Sequence, residues 1–135
     1  MNREIKFRAW DKTNKNINYK VLVGNTDSSD NNYTCNLIWL DDRKDWVNAD
    51  ELCIDIMQFT GLKDKNGVEI YEGDIIKTND EKDNTDIDEV FYNSSHCKYM
   101  IGNKYFNRLV IGLGKYSSFD IEVLGNVYEN EDLLK

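Results

Sequence analysis

The stretch TGLKDKNGVEIYEGDIIK, residues 60–77, contains the strongest turn signals in the chain. Its Asn66-Gly67 dipeptide is typical of a tight hairpin turn, because both residue types accept the positive φ that such a turn requires. Gly73 interrupts the strand-like run that follows, which indicates a bulge or a sharp bend where one strand leads into the next. The stretch therefore predicts a hairpin followed by a bend.

The sequence supports a ligand-binding role for the glycines and acids of this stretch less well than it supports a turn. Asp64 and Asn66 stand where an EF-hand loop has its first and third ligands, but the glycine and the final glutamate of that loop are not at their required positions. Phosphate cradles need a helix directly after the glycines. Neither this stretch nor the GLG at residues 112–114 is expected to open a helix. We therefore expect no metal and no cofactor.

Outward from this stretch, apolar residues recur with a period of two, which is typical of half-buried strands. Residues 4–23 are expected to form a hairpin, with Ile5, Phe7 and Ala9 sharing one face of its first strand. Further strands are expected within 33–40, 53–59, 90–102, 104–114 and 119–129. The segment around Trp46, residues 43–52, suggests a helical turn, residues 78–89 a mobile acidic loop, and Asn130 the cap of a last helical turn.

These elements predict a mainly β fold, either a small SH3-like barrel or a compact antiparallel β-sheet domain with few short helical turns. At 135 residues the chain is expected to be one domain. A division into an N-terminal β part, residues 1–56, and a barrel-like C-terminal part, residues 57–135, remains open.

Composition and charge restrict the function. The net charge of −8 opposes nonspecific nucleic-acid binding, which normally requires a basic surface. The three cysteines, Cys35, Cys53 and Cys97, are too far apart for a paired-thiol zinc site or a disulfide scaffold. Without an apolar run near the ~20 residues of a membrane span, we expect a soluble protein of the host cytoplasm with no membrane contact.

No catalytic constellation is evident. The single histidine, His96, is followed by Cys97, but adjacent residues of a strand point to opposite faces and would not form a nucleophile–base pair. We therefore expect a protein that is not an enzyme.

A basic, aromatic stretch is the one candidate binding site. Cations close to aromatic rings can bind single-stranded nucleic acid, although aromatic strands with exposed lysines have the same composition. The candidate residues are Lys98, Tyr99, Lys104, Tyr105, Phe106 and Arg108, within the segment 98–116. Elsewhere, Trp10, Trp39 and Trp46 are interpreted as core or interface anchors.

Three segments together resemble a known family. The segments REIKFRAWDKTNKN from Arg3, MQFTGLKDKNGVEIYEGDII from Met57 and EVLGNVYENEDLL from Glu122 are similar to hallmarks of the YopX family of phage and prophage proteins, found mainly in Gram-positive hosts. Residues 24–56 and 78–121 carry no such likeness. The resemblance implies a small β-rich protein with an SH3-like barrel element around YEGDII, and it supplies no catalytic residues, since the family's biochemical function is unassigned.

The leading hypothesis is thus a phage or prophage accessory protein that acts through protein–protein contact with an unidentified host or phage protein. Small β domains with exposed edge strands gain burial by association, so we also expect a homo-oligomer. The alternative is a single-stranded nucleic-acid-binding module that uses the stretch 98–116.

Overall fold

The computed structural model describes residues 3–24, 36–107, 111–116 and 120–135. It confirms the predicted mainly β, antiparallel fold with short helical turns. The strands are β1 (Phe7–Asp11), β2 (Asn16–Asn18), β3 (Val21–Leu22), β4 (Leu37–Leu40), β5 (Asp45–Asn48), β6 (Asp55–Lys63), β7 (Glu69–Tyr71), β8 (Asp74–Asn79), β9 (Thr85–Asn93), β10 (Lys98–Gly102), β11 (Ile111–Gly112) and β12 (Ile121–Asn126). Single 3₁₀ turns lie at Leu113–Lys115 and Glu131–Leu134.

The chain divides into two compact units. The first unit is Ile5–Gln58, and the second is Phe59–Lys135 together with Met1–Glu4. The boundary between the two units falls inside β6, between Gln58 and Phe59.

The first unit is built from two groups of antiparallel strands. β1 pairs with β2 on one side and with the beginning of β6 on the other, while β3, β4 and β5 form a three-stranded sheet. The hairpin predicted over residues 4–23 therefore closes earlier than expected, at β2, and β3 turns to pair with β4 instead. Apolar side chains from these strands and the following turn form its core: Ala9, Ile38, Leu40, Ala49 and Ile54.

The second unit contains a five-stranded antiparallel sheet in the order β11-β10-β9-β8-β12, preceded by the β6–β7 hairpin. The sheet is a curled half-barrel. Ile75 and Ile76 of β8 are both fully buried although adjacent residues of a strand point to opposite faces. The core of this unit consists of Ile70, Ile76, Val90, Ile101, Leu113 and Ile121.

The stretch 60–77 forms the β6–β7 hairpin and the bend into β8. Gly67 takes a positive φ of 79° while Asn66 does not, so the loop is of the longer, glycine-bulged kind rather than a two-residue turn. Gly73 bends the chain with φ 81°. Its N–H donates to the Val90 carbonyl at 2.8 Å, and its own carbonyl accepts the Val127 N–H at 2.9 Å. The bend is thus bonded to both β9 and the segment after β12.

Asp64 connects this hairpin to the last strand. One of its carboxylate oxygens accepts the backbone N–H groups of Asn66 and Val68 at 2.8 and 2.9 Å, which closes the turn. The other accepts the Val123 N–H of β12 at 2.9 Å. Asp64 is only 4% exposed, so its charge depends on these donors in place of water.

The predictions of a helical turn around Trp46 and of one mobile loop over residues 78–89 were wrong. Residues 45–48 around Trp46 form strand β5 instead of a helical turn, because Trp46 and Val47 pair with Trp39 and Ile38 of β4. Residues 78–89 are also not one loop. β8 continues to Asn79 and β9 begins at Thr85, so only a tight turn separates the two strands. Asp80 closes it by accepting the backbone N–H groups of Lys82 and Asn84.

Replacing Asp64 by Asn should lower the free energy of unfolding by about 2 kcal/mol at neutral pH, because an amide cannot accept hydrogen bonds on both of its sides. Asp80→Asn is the matched control: Asp80 opens a similar turn but is exposed, so water can replace its lost bonds and its cost should be much smaller. Urea unfolding of both variants measures the difference, and equal costs would contradict the role given to Asp64.

The Asp64 contribution should also depend on pH. Burial alone would raise the pKa of Asp64, but the N–H donors of Val123, Val68 and Asn66 outweigh it and hold this pKa below its ordinary 3.8. The unfolded chain therefore binds the proton first, and the stabilisation is present above pH about 4 and lost as the pH falls through the folded pKa. The stability difference between the wild type and Asp64→Asn should shrink below pH 4.

Gly125→Ala should destabilise the second unit by about 1–3 kcal/mol, as overpacking usually does. A Cβ at this position would stand 2.6 Å from Cγ and 3.0 Å from Cβ of Asn130, at the irregularity between β12 and β8. Gly114→Ala is the control, since its new methyl group would meet nothing within 4 Å. Thermal unfolding followed by circular dichroism separates the two, and an unchanged melting temperature in Gly125→Ala would refute the crowding.

Candidate functional site

An outward-facing aromatic surface lies on the three-stranded sheet of the first unit. The β4 sequence LIWL alternates between two environments: Ile38 and Leu40 are buried in the core, whereas Leu37 and Trp39 point to the opposite side and are half-buried. Residues paired across antiparallel strands point to the same side of a sheet. Leu22 of β3 pairs with Leu37, and Trp46 of β5 pairs with Trp39, so both point to this side. We call it the aromatic face: Leu22, Leu37, Trp39 and Trp46.

The two tryptophans of the aromatic face form a cross-strand pair. Their ring centroids are 5.7 Å apart with an interplanar angle of 67°, an edge-to-face contact. Trp46 is 38% exposed and Leu22 is 52% exposed. Two large apolar side chains of the aromatic face, on β3 and β5, are thus presented to solvent.

Polar groups fix the orientation of Trp39. Its indole Nε1–H donates to the Asp41 carboxylate at 2.8 Å, and Lys20 Nζ donates to the same oxygen at 3.3 Å. The Lys20 ammonium also lies 5.9 Å from the Trp39 ring centroid. The hydrogen bond from Trp39, followed by that from Lys20, lowers the pKa of Asp41 below its ordinary value. With its N–H already bonded, Trp39 offers a pre-oriented apolar ring.

The basic, aromatic stretch does not form one surface. Lys98 and Tyr99 lie at the start of β10, whereas Lys104, Tyr105 and Phe106 follow its end, about 13 Å of strand away. Tyr99 packs edge-to-face against Tyr92, with centroids 5.4 Å apart, and lines an open groove together with Lys98. Phe106 is 64% exposed. Arg108 lies outside the described residues.

Glu131 binds the polar groups of the second half of that stretch, which begins at Lys104. One oxygen of Glu131 accepts hydrogen bonds from Lys104 Nζ at 2.6 Å and from the Tyr105 hydroxyl at 2.7 Å. The bond to Glu131 is the main cause that raises the pKa of both Lys104 and Tyr105. Lys135 lies 5.6 Å from the Tyr105 ring centroid on this cluster. Lys104 is therefore neutralised within the chain and is a poor ligand for a phosphate.

His96 and Cys97 lie in the turn between β9 and β10, not on a strand as expected from the sequence. His96 Nδ1 is 3.1 Å from Asn93 Oδ1, and the Cys97 thiol donates to the Ser94 carbonyl at 3.4 Å. Each side chain is thus engaged with its own turn. In the described part of the chain, no three His, Cys, Asp or Glu side chains are grouped as a metal site would require. None of the helices described there could cross a bilayer.

Sequence reasoning missed the aromatic face as a surface. The tryptophans were recognised as anchors, but their pairing depends on the β4–β5 register, and a helical turn had been expected at Trp46. The signal that could have revealed it is the alternation through LIWL and DWVN on either side of a polar turn.

Comparisons with known proteins agree with this architecture. The family model described as YopX protein matches residues 6–135. Protein EF1440 from Enterococcus faecalis, solved by crystallography, is similar with a TM-score of 0.62 and 26% identity, covering 99% of this chain and 100% of that one. The crystal structure of protein yopX from Bacillus subtilis gives 0.62 and 22%, with 96% and 98% covered, and shows the fold alone. The chain matches no curated protein.

Glu131→Gln should lower the pKa of Tyr105, because the carboxylate that favours the protonated phenol is removed. Asp132→Asn removes the same charge from the same 3₁₀ turn but takes away the partner of Lys135 instead, so it should change the pKa of Tyr105 less. An NMR titration of the Tyr105 Cζ resonance measures both. A pKa of Tyr105 that does not change in Glu131→Gln would mean that the Lys104–Tyr105–Glu131 cluster does not form in solution.

Proposed function

The chain belongs to the YopX family, and we propose that it is a non-enzymatic protein-binding module, encoded by a phage or prophage and acting in the host cytoplasm. The family is of uncharacterised function. The observation that supports the proposal is the aromatic face, which combines two tryptophans and two leucines on one side of a three-stranded sheet whose other side lies on the core.

The chemistry of the aromatic face resembles that of protein interfaces. Binding energy in such interfaces concentrates in a few tryptophan, tyrosine and arginine side chains, surrounded by polar groups that exclude water. Trp39 and Trp46 supply the anchors, and Lys20 and Asp41 supply the polar edge. Because Asp41 already holds the Trp39 ring in place, a partner would lose little side-chain entropy on binding. A protein partner with an apolar anchor residue fits this surface.

Charge supports a basic partner. The chain carries 17 Lys and Arg against 25 Asp and Glu, so its long-range field attracts a cationic protein and accelerates encounter. Such recognition weakens as salt rises, because exposed charges are screened over about 10 Å at 0.1 M. If binding of the captured partner did not change between low and high salt, the electrostatic part of the proposal would be wrong.

Self-association forms a second part of the proposal. In the described part of the chain, β5 pairs with β4 only, so it is an edge strand of the three-stranded sheet, and the Trp46 N–H donates to the Asp45 carboxylate at 2.8 Å. A second copy could extend the sheet across this edge and cover the aromatic face. Light scattering that shows a monomer at high concentration would contradict self-association while leaving the partner-binding role open.

Trp46→Ala should abolish partner capture, because truncating a hot-spot tryptophan typically costs about 2 kcal/mol or more, which is roughly thirty-fold in the dissociation constant. Tagged wild type and variant are used to capture proteins from lysate of the phage host, with and without nuclease, and the recovered partner is quantified by mass spectrometry. Phe106→Ala is the matched control: it removes an exposed aromatic ring from the basic stretch rather than from the aromatic face.

Three outcomes are informative. Loss of the partner with Trp46→Ala alone, in a variant that unfolds at the wild-type temperature, supports the aromatic face. Loss with Phe106→Ala alone, or capture that disappears with nuclease, would instead favour the single-stranded nucleic-acid module. Equal capture by all three proteins would remove the aromatic face as the binding surface.

A further inference from the structure

A second surface feature lies in the Phe59–Lys135 unit and is independent of the aromatic face. An open groove of about 800 Å³ runs beside β10 and β11. Its apolar lining comes from Leu62 of β6, Met100 of β10 and Leu113, with Thr60 beside them. A volume of this size is within the range of pockets that hold small organic ligands, roughly 300–1,000 Å³.

The charged groups of this groove are all cationic. Lys98 and Lys115 stand at its rim, and its described lining contains no Asp or Glu. In the part of the chain that the structure describes, neither ammonium forms an ion pair with a carboxylate. This distinguishes them from Lys104, whose charge Glu131 satisfies. Two unpaired lysines beside an apolar floor are the features that an anion with an apolar body would contact.

Two glycines keep the groove open. The Lys98 side chain lies along Gly112, where an added Cβ would be 3.6 Å from Nζ, and a Cβ on Gly114 would meet nothing within 4 Å. The GLG segment, dismissed from the sequence as a phosphate cradle because no helix was expected to follow, is itself part of a single 3₁₀ turn, Leu113–Lys115, which Gly112 precedes as the N-cap residue. Its glycines contribute space to the groove rather than a helix terminus.

The positive charge of the groove contrasts with the negative charge of the unit that contains it. The unit that contains it has ten Lys and Arg but sixteen Asp and Glu. An average surface of this unit would therefore be acidic, yet among the described residues the only Lys, Arg, Asp or Glu side chains that line this groove are lysines. Local charge of the opposite sign in a concave, apolar site concentrates small counter-ions there.

We propose that this groove binds a small amphiphilic anion, that is, an apolar or aromatic body ending in one carboxylate, sulfonate or phosphate group. The body lies on Leu62, Met100 and Leu113, and the anionic end lies between the ammonium groups of Lys98 and Lys115. A single anionic group fits two lysines. A nucleic-acid strand would carry many more charges past the acidic remainder of the unit, which repels them.

The test uses the aromatic sulfonate 8-anilinonaphthalene-1-sulfonate (ANS), with its uncharged analogue N-phenyl-1-naphthylamine as the comparison ligand. ANS fluorescence and calorimetry should show saturable binding of one molecule per chain. Lys98→Gln and Lys115→Gln should each weaken ANS binding about threefold, and the double variant about tenfold, as expected for partly exposed ion pairs. The uncharged analogue should bind the wild type and the double variant equally.

Two further variants localise the binding. Gly114→Leu places a side chain into the groove without changing charge, and it should weaken both ligands. Lys82→Gln removes a lysine of the same unit outside the groove lining and should leave ANS binding unchanged. Circular dichroism melting of each variant verifies that the fold is retained.

The proposal fails if ANS shows no saturable binding, or if the double lysine variant and Gly114→Leu both bind ANS with the wild-type affinity. It also fails if a decathymidylate oligonucleotide binds the wild type more tightly than ANS and is lost in the double variant, because the groove would then belong to a nucleic-acid interface. None of these outcomes depends on Trp46. The proposed protein-binding function is therefore tested separately, by the capture experiment with Trp46→Ala.

Discussion

The buried carboxylate of Asp64 is the constraint on which the second unit depends. A charge that is 4% exposed is tolerable only when several donors replace its water, and here the donors come from two distant parts of the chain. The N–H groups of Asn66 and Val68 close the hairpin, whereas the N–H of Val123 comes from a residue fifty-nine positions after Asp64. The backbone N–H of Lys65 also donates to the Ile121 carbonyl at 3.0 Å. The turn therefore determines where β12 can join the sheet.

This arrangement explains why the most organised stretch of the sequence carries no chemistry. Asp64 looked like the first ligand of a calcium loop, but its oxygens accept backbone N–H groups. Asp11 and Asp80 do the same at the beginning of the β1–β2 and β8–β9 turns. In each case an Asp followed by polar residues marks a turn closed by its own side chain. The same pattern would have located the β8–β9 turn inside the acidic run.

The fold class was predictable from the period-two alternation, but several boundaries were not. Positive φ in four hairpin turns is adopted by Lys15, Lys44, Asp83 and Cys97, and none of these residue types signals it as glycine does. The turn at Lys44 was consequently read as part of a helix around Trp46. The functional surfaces were still less predictable. The aromatic face depends on strand register, and the groove is assembled from β6, β10 and the segment after β11, whereas sequence reasoning grouped residues 98–116 by proximity along the chain.

The distribution of ion pairs separates the two halves of that basic stretch. Three lysines of the second unit are paired with acids: Lys65 and Lys77 contact Glu122 at 2.9 and 3.8 Å, and Lys104 contacts Glu131 at 2.6 Å. Pairs as exposed as these contribute little to stability, but they cancel the local positive charge. Among the described residues no carboxylate forms an ion pair with Lys98 or Lys115, which lie beside an apolar floor. Within the basic stretch, Glu131 thus offsets the charge of Lys104, whereas the ammonium groups of Lys98 and Lys115 lie where an anion with an apolar body would be held.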